Sequence, residues 1–374
     1  MTGAWKIILG SLLAVVVLVG LLVWEPGEEH AKSLVLHCAA GMKNPVAAVA
    51  ADYEREYGTK IAIMYGGSGT LLSNIATSRT GDLYLAADSS YIDIAREKGL
   101  VAEAIPVACI RLVIAVARGN PKKIDGVDAL LKEDVKTALA NPSAASAGKQ
   151  TQILLTKLGK WDALEKVVRE HGVFKPTVNE VANDVKIGTV DASIVWDATV
   201  NQYPELEAVP IAGGEDFVKH ITISVLTSTK QPTASLRFAR YLSACDRGQK
   251  RFDAMGFPPV EGDAWAVKPK IIYFSGGVNR LAIKDTLAAF AEREGVEITT
   301  VYDGCGILKG QIKLGERPDG YQTCDATFMN GVEEYFGDAT RITTTDMVIV
   351  VAKGNPHNIQ GLALGHDDDH VGRR

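Results

Sequence analysis

The residues best placed to do chemistry in this chain lie in small-residue turns that open helices. The stretch "MYGGSGTLLSNI" (residues 64–75) runs from an apolar strand end through Gly66, Gly67, Ser68 and Gly69 into an apolar-periodic helix. Such a turn gathers free backbone N–H groups and the positive end of a helix dipole at one point, which attracts anions. Ser68 adds a hydroxyl, and the glycines let a bound group approach the backbone. Taken alone, the turn reads equally well as a tight strand-to-helix connection. Similar turns recur in "CAAGMKNPV" (residues 38–46), "NPSAASAGKQT" (141–151) and "TVNEVANDV" (177–185), the last with Asn179 as the predicted cap. Several together favour a shell of neutral donors around a small oxyanion.

Other chemistries find less support. The Gly-rich turn lacks the Lys-Ser/Thr ending of a P-loop and is not GxGxxG, which removes most of the case for nucleotide binding. No G-x-S-x-G, H-E-x-x-H or Walker sequence occurs, so no enzyme and no cofactor are expected. His37, His171 and His220 are single and scattered, and read as surface or satisfied core histidines. A net charge of -5 with no basic run excludes nucleic acid as a partner. Asp82, Asp88 and Asp197 stand near the turns and read as helix caps or turn acids. A pocket of donors alone suits a fully deprotonated tetrahedral dianion such as molybdate or tungstate; a protonated phosphate also needs an acceptor. An inward-pointing aspartate would supply one.

The elements that must position these turns come in two copies. At a shift of about 236 residues, "LVLHCAAGMKNPVAAVAADYEREYG" meets "IIYFSGGVNRLAIKDTLAAFAEREG", and "IAIMYGGSGTLLSNI" meets "ITTVYDGCGILKGQI". Further on, "LVIAVARGNPKKIDG" meets "MVIVVAKGNPHNIQG". Each copy reads as strand, helix, strand, helix, strand, helix, strand, which predicts an α/β fold with a parallel sheet and right-handed crossovers. The first copy continues through residue 257, and the second stops soon after its "VAKGNP". The organisation predicted is an N-terminal segment (1–33), a main domain (34–257), a Pro-rich linker (258–269), an incomplete second copy (270–361) and a disordered polar tail (362–374).

Residues 5–24 are almost continuously apolar between Trp5 and Trp24, and as a helix would span roughly 30 Å, one hydrocarbon core. Lys6 precedes the run while Glu25, Glu28 and Glu29 follow it, which predicts a cytoplasmic N-terminus and an exported remainder. The segment reads as a membrane anchor on the periplasmic side, or as a cleaved signal peptide that leaves the chain secreted.

In its order of small-residue turn, Ser-bearing turn, "GDLYLAAD", "KLGKWDAL" and "IVWDA", the stretch 34–257 resembles the periplasmic molybdate-binding proteins of ABC transporters. The resemblance implies a type II periplasmic-binding-protein fold, two α/β lobes joined by hinge strands, followed here by a partial repeat of the first lobe. Lobe one would be 34–115 plus 218–257 and lobe two 116–217, with hinges at "VIAVARG" and "HITISVL". It further implies capture of a molybdate or tungstate oxyanion for an ABC-transporter permease. Ser68 falls on a binding serine, with Gly69 beside it in the same turn; Ala147 and Val181 fall on positions that donate backbone N–H groups. Trp196 stands where the family has a tyrosine, and Gly41 where it has a first binding serine, so one hydroxyl is missing. A lost neutral hydrogen bond costs ~0.5–1.5 kcal/mol, about tenfold or less in affinity. The alternatives on this fold are a membrane-tethered sensor or a different cargo such as sulfate; a ferric cargo would call for a Tyr-Tyr pair, which does not occur.

In the second copy Ser68 aligns with Cys305, Gly41 with Gly277 and Ala87 with Cys324. Cys305 and Cys324 read as a soft-metal or redox pair, a structural disulfide, or two unrelated small core residues. His366 and His370 flank three aspartates in a tail read as solvated.

Overall fold

The computed structural model describes residues 33–344, 348–354 and 356. The N-terminal segment as far as residue 32, and the tail with His366 and His370, lie outside them. Among the described residues no helix is long and apolar enough to cross a membrane.

Strand β1 (Ser33–Ala39) is parallel to β2 (Lys60–Gly66) on one side and β3 (Leu83–Ala86) on the other. The connections are α1 (Lys43–Tyr57) and α2 (Ser68–Ser78), and α3 (Ser89–Glu97) follows β3. With helices over both faces, β3 is buried at all four positions. The sheet is mixed rather than purely parallel. β3 pairs antiparallel with β9 (Val218–Leu226), and β9 pairs antiparallel with β4 (Val101–Ala117).

At 17 residues, β4 is long enough to serve two lobes. From Val101 to Arg111 it pairs with β9; from Leu112 to Ala117 it pairs with β7 (Ala192–Trp196) and β8 (Leu206–Pro210). The second lobe is built on β5 (Thr137–Ala140), parallel to β6 (Val173–Lys175) and to β7. Its helices are α4 (Ser146–Lys157), α5 (Trp161–His171), α6 (Val178–Lys186) and the short α7 (Asp197–Asn201). Two α/β lobes therefore share one crossing strand, and the exchange of partners falls at Arg111–Leu112, just ahead of "VIAVARG".

After β9 the chain returns to the first lobe in α8 (Pro232–Ser243) and α9 (Gly248–Asp253). Tyr53 of α1 meets Phe238 and Tyr241 of α8 with ring centroids 5.0 Å apart in each pair. The aperiodic stretch 258–269 is held against this lobe. Pro258 O accepts the Cys109 N–H at 2.7 Å, and the Trp265 indole donates to Tyr57 Oη at 2.8 Å.

His37, on β1, is buried, and neither ring nitrogen meets a hydrogen-bond partner among the described residues. Gly81, at φ +106°, leaves room for the ring, since a Cβ there would stand 2.6 Å from Nε2. Burial holds the imidazole below its usual pKa, with the Thr80 backbone and the Asp82 charge opposing more weakly. A depressed pKa means that the unfolded chain takes up the proton more readily, so stability is lost as pH falls below about 6.5. Calorimetric melting at pH 7.5 and pH 5.5 should show a fall in Tm that is smaller in His37→Phe; equal falls would remove His37 as a cause.

The chain continues in β10 (Lys270–Gly276), α10 (Arg280–Glu294), β11 (Glu297–Asp303), α11 (Cys305–Lys313) and β12 (Gly320–Gln322); Leu281–Thr299 group with the main domain, and the rest forms a second unit. Its three strands lie in the order β11-β10-β12. Phe274, Leu308, Ile312 and Val332 form its small buried core. The fourth strand expected at "MVIVVAKGNP" does not form among described residues 348–354. In the main domain the corresponding β4 is held by β7, β8 and β9. Among the described residues no strand pairs with the apolar run 348–351, so it joins no ladder.

Candidate functional site

The helix-opening turns of the two lobes meet at one small cavity of about 240 Å³, counting the space open at its mouth. The first lobe supplies Ala39, Ala40, Gly41, Gly66, Gly67, Ser68 and Ala87; the second supplies Ala145, Ser146, Ala147, Thr177, Val178 and Trp196. The volume is below the usual range of about 300–1,000 Å³ for drug-sized ligands. No lining residue carries a charge.

Three helices open on this cavity: α2 at Ser68, α4 at Ser146 and α6 at Val178. A 3₁₀ turn at Ala40–Met42 adds a fourth run of backbone. The first amides of each helix have no intrahelical acceptor, and their dipoles place positive potential at the same point. Thr177 caps α6 by accepting the Glu180 N–H at 3.3 Å, and donates to Glu180 Oε1 at 2.9 Å. The spacing is that of a capping box, but the glutamate meets the cap's hydroxyl in place of its backbone N–H. The cap is therefore Thr177, two residues before the Asn179 expected from sequence.

Of the residues singled out from sequence, Gly41, Ser68, Ala147 and Trp196 line the cavity. The Ser68 hydroxyl oxygen accepts the Ala87 N–H at 3.3 Å, and the Ser68 carbonyl accepts from Tyr84 Oη at 2.8 Å. With its acceptor side engaged, the hydroxyl keeps its own hydrogen for a ligand. The buried Trp196 indole N–H donates to no protein acceptor among the described residues.

Gly69 and Val181 do not line the cavity. The Gly69 N–H is committed to Ala144 O at 2.9 Å, across from one lobe to the other, and Thr70 N–H shares that carbonyl at 3.2 Å. Val181 lies one helical turn inside α6, its N–H directed at Thr177 O at 3.4 Å; Val178 takes the place at the cavity. Sequence reading missed this because the position of the Thr177 cap decides which amides are free. The "T-x-x-E" spelling was the available signal.

At Gly41 a Cβ would lie 3.2 Å from Val178 Cγ1, 3.8 Å from Trp196 Cδ1 and 3.9 Å from Thr199 Oγ1. Val178 and Trp196 thus occupy the room beside Gly41. Thr199 is buried, and its hydroxyl has no hydrogen-bond partner among the described residues.

The three aspartates act as structural acceptors. Asp82 takes the Val35 N–H at 2.8 Å and the Thr229 hydroxyl at 2.6 Å. Asp197 takes the Ala198 N–H at 2.8 Å and the Arg111 N–H at 3.2 Å; burial pushes its carboxyl up, with these amides offsetting part of the shift. Asp88 caps α3 through the Ser90 N–H at 3.0 Å and also accepts from two residues of α4, the Ser146 hydroxyl and Gln150 Nε2. The Lys149 ammonium donates to Ser90 Oγ at 2.9 Å. These bonds join the lobes along one rim.

Two α/β lobes that share a crossing strand and close on a small uncharged cavity define a solute-binding protein as a class. The chain matches the family of bacterial extracellular solute-binding proteins over residues 34–258 and 271–367, and it belongs to that family. It is 25% identical over 232 residues to the molybdate-binding protein ModA of Mycobacterium tuberculosis, covering 61% of this chain and 85% of that one. A Haemophilus influenzae protein described as a binding protein is 27% identical over 234 residues, 62% of this chain and 93% of its own. Among solved structures, the Azotobacter vinelandii periplasmic molybdate-binding protein superposes with a TM-score of 0.53 at 19% identity, covering 61% of this chain and all of that one. The sulfate-binding protein SubI of Mycobacterium tuberculosis gives 0.53 at 17% identity, with 82% and 100% covered. At these identities the structures establish the fold.

Proposed function

We propose that the protein captures a fully deprotonated tetrahedral oxyanion, molybdate or tungstate, between its lobes and delivers it to the permease of an ABC importer. The observation that carries this reading is the convergence of three helix N-termini on a cavity without a charged or carboxylate-bearing lining residue. A dianion there accepts from the Ser68 hydroxyl, the Trp196 indole and the opening amides of α2, α4 and α6, with Ala147 and Val178 among the donors of the second lobe. The molybdate-binding relatives support the cargo, and the sulfate-binding neighbour makes sulfate the natural competitor.

No chemistry is done on the ligand. Two open lobes take it up, bend about the strand they share, and close. The apolar run at 5–24 tethers the protein to the outer face of the cytoplasmic membrane, or is removed on export. Residues 270–361 repeat elements of the first lobe, and the anion is held by the main domain.

Calorimetric titration of the chain with molybdate, tungstate, sulfate and phosphate tests the reading. Molybdate and tungstate should bind, sulfate more weakly, and phosphate least, because a protonated oxygen finds no acceptor; an unsatisfied buried polar group costs about 1–3 kcal/mol. No heat with any of the four would sink it. Ser68→Ala should weaken molybdate binding by about tenfold, the loss of one hydrogen bond to a charged group less what water restores. An unchanged affinity would leave the turn a purely structural one.

A further inference from the structure

The second unit preserves the hydrogen-bond pattern around Ser68 while changing its chemistry. In the first lobe the Ala87 N–H donates to Ser68 Oγ at 3.3 Å and Tyr84 Oη donates to Ser68 O at 2.8 Å. In the second unit the Cys324 N–H points at Cys305 Sγ at 3.3 Å and Tyr321 Oη donates to Cys305 O at 2.8 Å. Asp88 caps the next helix through the Ser90 N–H at 3.0 Å, and Asp325 does the same through the Thr327 N–H at 2.7 Å. Hydroxyl and methyl have become two thiols, with Cys305 and Cys324 Sγ atoms 2.8 Å apart. Gly276 makes room for them, since a Cβ there would stand 2.6 Å from Cys305 Sγ.

We propose that Cys305 and Cys324 form a disulfide that clamps the start of α11 to the turn that follows β12. The family is extracellular, and that compartment sustains disulfides. The unit's buried core is small, which is where a covalent staple matters most. Metal binding fits the geometry less well. Two Zn–S bonds of about 2.3 Å at a tetrahedral angle hold their sulfurs about 3.8 Å apart, and no cluster of three or more ligating side chains exists among the described residues. Cys324 is exposed and Cys305 buried, so an external disulfide reaches Cys324 first. The Cys324 thiolate attacks one sulfur of that disulfide, forms a mixed disulfide and expels one thiolate. Cys305, deprotonated, then attacks Cys324 Sγ and expels the second. The two cysteines lose two electrons and two protons, and the external disulfide is reduced to two thiols.

The test uses the full chain equilibrated with glutathione disulfide, then unfolded, alkylated, digested and weighed. The expected result is a peptide joined through Cys305 and Cys324 that has lost two hydrogens, with Cys38, Cys109 and Cys245 alkylated. In Cys305→Ser, Cys324 should become alkylated, and the reverse in Cys324→Ser. Alkylation of both in the parent chain, pairing of Cys324 with Cys245 or with another copy, or protection without loss of hydrogens would each overturn the proposal. Hydrogen exchange in residues 300–336 should slow several-fold on oxidation; rates unchanged by reduction would overturn the clamp.

Discussion

Gly67→Ala is expected to abolish high-affinity oxyanion binding while leaving the chain folded. At Gly67 an added Cβ would lie 2.3 Å from Ala144 O and 2.7 Å from Pro176 O, both carbonyls of the second lobe. Neither is a flexible side chain that could swing aside. The backbone there, φ -69° and ψ 144°, is ordinary for alanine, so the substitution strains nothing within its own lobe. The methyl therefore acts on closure alone. A lobe pair held apart by even about 1 Å separates the donors of α4 and α6 from those of α2. Losing two or more charge-assisted hydrogen bonds, each worth about 1.5–3 kcal/mol, corresponds to at least a hundredfold loss of affinity. Calorimetry with molybdate alongside far-UV circular dichroism separates the two effects. Tight binding by the folded variant would show that the lobes do not meet at this turn in the liganded protein.

The second large effect is expected at Asp88, which lines no part of the cavity. Its carboxylate accepts from Ser90 in its own lobe and from Ser146 and Gln150 in the other. Asp88→Ala removes a helix cap, worth about 1 kcal/mol, and leaves buried donors of α4 without an acceptor. The closed form should lose about 2–4 kcal/mol, equivalent to about 30- to 1,000-fold in affinity. Since an open molecule hydrates these donors, the Tm without ligand should fall by less than the ligand-induced rise in Tm. Small-angle scattering with molybdate should then report a wider separation of lobes than in the parent chain. An unaltered affinity would mean that these bonds contribute nothing to closure.

Much of the cavity's lining is legible in sequence because the donors proposed for it are backbone amides at helix starts, and a helix start is written locally. "GGSG" announces the turn into α2, and "NPSAASAGKQ" that into α4. Ser68 and Ala147 follow directly. Val181 shows the limit. A shift of one helical turn moves an amide from free to bonded, and its place depends on where Thr177 caps the helix. Gly69 shows another, since its N–H is taken by Ala144, 75 residues away, and no local pattern encodes that partner.

The sequence by itself determined the alternation of strands and helices, the small-residue turns, and the want of catalytic and nucleotide motifs, because each is a matter of residue type at short spacing. Only the tertiary structure decided that β4 exchanges partners at Arg111–Leu112, that Asp88 reaches across the lobes, that Thr199 lies beside Gly41, and that the apolar run 348–351 finds no strand to pair with among the described residues. The physical reason is common to all four. Each depends on which distant segment supplies the hydrogen-bond partner or fills the adjoining space, and a periodicity of two or 3.6 residues carries no record of that.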